Sequence, residues 1–90
     1  MPPDEAFVND LLAEVSRARA RFPAASNPTL AALTEEVGEL AKALLHIREG
    51  KSTTWWDVYD EAIQVAAMAL RVATEGDAIL GVVPNEELCR

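Results

Sequence analysis

One apolar spacing occurs twice in this chain, and it constrains the fold more than any other feature. Leu33, Val37, Leu40, Leu44 and Ile47 are spaced 4, 3, 4, 3, and Val58, Ala62, Val65, Ala69 and Val72 repeat that spacing. Steps of three and four keep a single stripe on a helix of 3.6 residues per turn and scatter across both faces of a strand. Phe7, Val8, Leu11, Leu12 and Val15 obey the related i, i+3, i+4 rule. No segment alternates with period two, so the expectation is an all-α helical bundle. Breakers divide it into three helices. The first runs from about Asp4 to Arg21, stopped by Pro23, with acids at its start and arginines at its end, as the helix dipole favours. The second begins near Asn27-Pro28, an N-cap followed by proline in the first turn, and runs to about Glu49 before Gly50. The third spans about Trp55 to Thr74, with Ser52 to Thr54 as candidate caps and Gly76-Asp77 closing it.

Ninety residues form one domain, with a core at about 4–77 and a short tail at 78–90 that has an apolar stretch, Pro84 and one last helical turn. A chain of this length buries only about two thirds of the surface it exposes when unfolded, so self-association is expected. The formal charge of −7 argues against nucleic acid or an anionic membrane as partner and suits a protein that gathers divalent cations. A single cysteine, Cys89, permits no internal disulfide and fits a reducing cytoplasm. The opening "MPPDEAFVND" lacks the basic and apolar regions of a signal peptide, and no apolar run approaches the length of a membrane span.

The acids of the second helix are not all placed for solubility. At 100° per residue, with Leu33 at zero, Glu36 falls at roughly −60° and Glu39 at roughly −120°, on one flank of the apolar stripe. Glu35 falls at roughly 200°, facing solvent. Like charges at i, i+3 repel and weaken a helix by a few tenths of a kcal/mol unless a cation joins them. A shift of 25 residues lays "EEVGELAKALLHI" over "DEAIQVAAMALRV" and brings Glu61 onto Glu36 and Gln64 onto Glu39. Glu61 and Gln64 occupy the same flank of their own stripe, with Asp57 one turn earlier. In an antiparallel hairpin the two polar pairs face each other across a groove. Hard oxygen donors grouped this way suit Mg²⁺.

"EEVGELAKALL", followed about 25 residues later by "DEAIQVAAMALR", resembles the MazG-like all-α nucleoside triphosphate pyrophosphohydrolases. The likeness covers roughly residues 17 to 77, including the "RARARFP" helix end. It implies a helical bundle assembled as a homodimer or homotetramer, with Mg²⁺ as cofactor and Mn²⁺ as the alternative ion. The implied reaction cleaves a (deoxy)nucleoside triphosphate between its α- and β-phosphates, giving monophosphate and pyrophosphate.

By this resemblance Glu36, Glu39 and Glu61 are the catalytic metal ligands. Gln64 stands where the pattern has aspartate, so it offers an amide oxygen but no charge. Asp57, on the Glu61 flank, is the residue placed to compensate. Lys42, Lys51, Arg48 and Arg71 are available for phosphates, and Arg71 is the best placed, two turns beyond Gln64. His46 and Met68 occupy flank positions that the family uses against the base, and one of Trp55 and Trp56 is free to stack, with Trp56 taken as the candidate. Each has a plainer role as well: solvated cation, partly exposed histidine, core methionine, helix staple. Two further readings stand beside the enzyme: a nucleotide-binding or regulatory module without turnover, suggested by Gln64, and an oligomerisation bundle whose acids are simply solvated.

Overall fold

The computed structural model describes residues 2–22 and 28–85. Three helices account for most of them: α1 (Asp4–Arg21), α2 (Leu30–Arg48) and α3 (Trp55–Glu75). The expected bounds of α1 are met at both ends. Glu49 caps α2, and Gly50 follows at φ 72°, a left-handed conformation that glycine adopts at no steric cost. At the start of α3, Asp57 accepts hydrogen bonds from the Thr54 N–H (2.7 Å) and hydroxyl (3.2 Å), satisfying an otherwise orphaned amide.

The start of α2 differs from expectation. Asn27 lies outside the described residues, and the cap is Thr29, whose Oγ1 accepts from the Ala32 N–H at 3.0 Å. Pro28 precedes the helix and is fully buried. The free Leu30 N–H is taken by Asp77, far along the chain, whose Oδ2 accepts it at 2.7 Å. Sequence spacing favours the nearest asparagine as a cap and carries no sign of a donor-acceptor pair 47 residues apart.

The helices run up, down and up, with α3 in the middle. Tyr59 at the start of α3 meets Phe7 edge-on at 5.4 Å between ring centres, while Arg71 near its end reaches the Phe22 carbonyl at 2.8 Å, so α1 and α3 are parallel. Asp77 beside Leu30 makes α2 and α3 antiparallel, the expected hairpin. Both α1 and α2 pack on α3, and they make no close backbone approach to one another among the described residues. The three helices together measure 47 × 26 × 25 Å. The radius of gyration, 14.7 Å, exceeds the roughly 12 Å typical of a compact chain of this length.

That arrangement relocates the core. Val15, Ala43, Val58, Ile63 and Ala67 are the buried apolar residues, and within the expected stripe of α2 both Val37 and Leu44 are largely exposed. The face of α2 that meets α3 carries Glu36, Leu40, Ala43 and Ile47, rotated about 60° from Leu33 toward the acids. Because α3 lies between two helices, it buries Val58 on one side and Ile63, Ala67 and Arg71 on another. A single stripe read from sequence cannot represent two contact faces. After α3, residues 77–82 form a tight turn closed by an antiparallel bridge between Asp77 and Val82. The last helical turn expected in the tail lies outside the described residues.

Candidate active site

Three acids from the sequence argument do gather along the α2–α3 hairpin. Glu36 is half-buried, and its carboxyl is held above the ordinary range by burial first and then by the negative charges of Glu61, Glu35, Glu39 and Glu14. Glu61 is likewise raised, by burial and by Glu39, Asp60 and Asp57. The neighbouring charges that raise these two carboxyls are all carboxylates. Neither makes a hydrogen bond or ion pair among the described residues, so the pair is repulsive and uncompensated. Glu39 is exposed at the rim of the groove, and Glu35 faces solvent as expected.

The remaining residues divide between this groove and other duties. Asp57 spends its carboxylate on capping α3. Gln64 turns toward α1, where its Nε2 donates to Glu14 Oε1 at 3.0 Å. Glu14 is in turn bound by Arg17, whose Nε donates at 2.8 Å, and this guanidinium is the main reason its carboxyl lies below the usual range. Glu14 still contributes to the negative potential at Glu36, so α1 supplies a carboxylate beside the position where Gln64 brings none. Sequence reasoning missed it because it compared only the two hairpin helices. The "E-x-x-R" spacing of Glu14 and Arg17 marks an ion pair but says nothing about which helix it meets.

Arg71, expected to reach phosphate, is corrected to a structural role. Its side chain is 1 % exposed, clasps Glu75 through Nε (2.8 Å) and Nη2 (3.0 Å), and donates to the Phe22 carbonyl. Arg19 adds to the same clamp by donating to Glu75 (3.0 Å) and Thr74 (3.1 Å). Arg71 keeps the flank of Gln64 two turns further on, but there that flank is covered by the end of α1, where Phe22 accepts from it. Lys42 is exposed, Lys51 pairs with Glu49 at 3.2 Å, and Arg48 is exposed at the end of α2. His46 and Met68 are half-buried. Trp55 and Trp56 are both more than half exposed, and Trp56 leans edge-on against Tyr59 at 5.3 Å.

In kind, the donors of the groove fit a hard divalent cation: carboxylate oxygens, unpaired, at a potential that favours positive charge. In position, no three acidic, histidine or cysteine side chains close around one point among the described residues. A concavity of about 460 Å³ lies between α1 and α3, with Asp10, Glu14, Tyr59 and Gln64 in its wall. No family model matches this sequence, and neither a curated protein nor a solved structure is similar to it at a significant level.

Proposed function

We propose that this chain is a nucleoside triphosphate pyrophosphohydrolase of the MazG-like type, dependent on Mg²⁺ or Mn²⁺ and working as a homodimer or homotetramer. The observation that carries this reading is the repulsive pairing of Glu36 with Glu61 across consecutive helices, with no cation paired to either among the described residues. Two half-buried carboxylates at raised pKa cost a small protein stability and find a use when a divalent ion binds. Glu36, Glu39 and Glu61 would hold the ion, and Glu14, positioned through Gln64, supports the negative potential. When bound, the ion supplies charge neutralisation at phosphate oxygens and acidifies water for attack on the α-phosphorus. With the ion generating hydroxide no strong protein base is required, and Glu39 or Glu36 would accept the proton. Exposed Lys42 remains for phosphate, and Trp56, His46 and Met68 for the base.

Release of pyrophosphate from a panel of canonical and modified triphosphates, with and without Mg²⁺, tests the reading directly. Turnover of none of them under any divalent ion would end it. The alternative of a nucleotide-binding module without turnover is favoured by one observation: Gln64 donates to Glu14 instead of adding a charge to the groove. On that alternative, a triphosphate with Mg²⁺ raises the melting temperature and is recovered intact.

A further inference from the structure

Beside the groove stands a cation, Arg17 of α1, whose partner is a carboxylate that the groove already feels. Arg17 reaches Glu14 with two parallel donors, Nε to Oε2 at 2.8 Å and Nη2 to Oε1. From α3, Gln64 donates to that same Oε1 at 3.0 Å. Arg17 and Gln64 therefore meet at one oxygen, and Gln64 lies one helical turn beyond Glu61 on the same flank. The charge of Glu14 in turn bears on Glu36 of α2. Arg17 is thus one carboxylate removed from the proposed site.

The pair is asymmetric. The Glu14 side chain is 14 % exposed and held by three donors, whereas that of Arg17 is 51 % exposed and, among the described residues, bonded to Glu14 alone. An exposed ion pair within one helical turn contributes little to stability. Phosphate oxygens accept the guanidinium fork bidentately, as a carboxylate does, and carry more charge. Asp10 and Asp60 share the wall of the concavity between α1 and α3 with Arg17. They lie one turn N-terminal of the Glu14–Gln64 contact and Arg17 one turn C-terminal, so a phosphate meets Arg17 on the side away from them.

Charge balance supplies the need for such a residue. Glu14, Glu36, Glu39 and Glu61 are acids, a triphosphate is a polyanion, and one divalent ion does not neutralise both. Of the cations first suited to phosphate, Arg71 is locked to Glu75 and Lys51 is paired with Glu49. A divalent ion in the groove attracts Glu14 and repels Arg17 at the same time. On the reading of the groove as a site for that ion and a triphosphate, we propose that Arg17 is its phosphate-binding residue. Glu14 holds Arg17 in reserve in the absence of the ion, then turns to the ion and releases the guanidinium to the phosphates. Phosphate binding at Arg17 is thereby made conditional on the metal.

Titration calorimetry with inorganic tripolyphosphate, a probe without base or sugar, tests this on the whole chain. Tripolyphosphate binds in the presence of Mg²⁺, and Arg17→Met weakens that binding about tenfold or more while circular dichroism shows the fold kept. Mn²⁺ alone binds Arg17→Met at least as tightly as the wild type, because Glu14 no longer has to leave a guanidinium. Arg21→Met removes the same charge from the same helix end and leaves the tripolyphosphate affinity unchanged. An equal loss there would reduce the effect to net charge and overturn the assignment. Glu14→Gln frees Arg17 without the ion, so in the absence of Mg²⁺ tripolyphosphate binds this variant several-fold more tightly than the wild type. No such gain, an unchanged affinity in folded Arg17→Met, or no binding of tripolyphosphate to the wild type also overturns the proposal. If Arg17→Met loses the affinity but the wild type hydrolyses no triphosphate, Arg17 keeps its role and the hydrolase alone falls. Pyrophosphate release by Arg17→Met at an unchanged KM leaves the hydrolase standing and removes Arg17 from it.

Discussion

Glu36 shows how a single residue carries opposite consequences for stability and for chemistry. Its carboxylate is lifted by burial and by four neighbouring acids, so its charge is a burden on the empty groove. Glu36→Gln keeps the shape and removes the charge. The expected outcome is a fold more stable by a few tenths of a kcal/mol, read as a rise of about 1–2 °C in melting temperature. The same change should lower Mg²⁺-dependent pyrophosphate release by about 100-fold or more, since even partners behind a metal ligand are worth 10–100-fold. Stabilisation with undiminished turnover would remove Glu36 from the proposed site. Arg71 is the converse case, a cation spent on structure. Arg71→Met leaves Glu75 without its principal partner and the Phe22 carbonyl without its donor. A loss of about 2–3 kcal/mol follows, or about 10–20 °C in melting temperature. If the role is structural alone, KM for a triphosphate measured on the folded fraction is unchanged.

Among the elements, α1 and α3 were legible nearly to the residue, because acids, breakers and periodicity agree at their ends. The start of α2 was not, because its cap is Thr29 and its free Leu30 N–H is taken by Asp77, supplied from beyond the end of α3. The same limit applies to the groove. The pairing of Glu36 with Glu61 could be read from an internal repeat on consecutive helices, whereas Glu14 arrives on a helix whose contact with α3 leaves no periodic mark. The deviation of the buried α2 face toward Glu36 has a similar origin: sequence marks seven leucine, valine and isoleucine positions around the helix without saying which neighbour takes which. The long-range cap yields a prediction of its own. Asp77→Ala should accelerate amide hydrogen exchange selectively at Leu30 and Leu80, the two N–H groups its carboxylate binds, while exchange in the middle of α3 changes little. Gly76→Ala should disrupt the same junction by another route. At φ 80° a Cβ there would lie 2.5 Å from the Val82 carbonyl oxygen, so the turn must open.

For the whole molecule, the two classes of carboxylate predict an unusual dependence of stability on pH. Glu36 and Glu61 are raised above their ordinary 4.5 in the fold, so the native state binds their protons more readily than the unfolded chain does. Stability therefore falls as pH rises through the raised values, and the penalty is complete at neutrality. Glu14, Glu75 and Asp77 are lowered, the first two by Arg17 and Arg71 and the last by backbone N–H groups. Their contribution is complete above the unfolded values near 4 and is lost as pH falls through the lowered ones. Together they place the maximum of melting temperature on the mildly acid side, with a decline toward pH 7 and a steeper one below about pH 4. In Glu36→Gln/Glu61→Gln the decline toward neutrality should flatten and the acid limb should remain. Saturating Mg²⁺ should flatten the same limb in the wild type, because an ion bound between the carboxylates favours their charged forms and competes with protons for them. A neutral-side decline that persists in both cases would mean that the repulsion lies elsewhere, and the groove would lose its claim to a divalent ion.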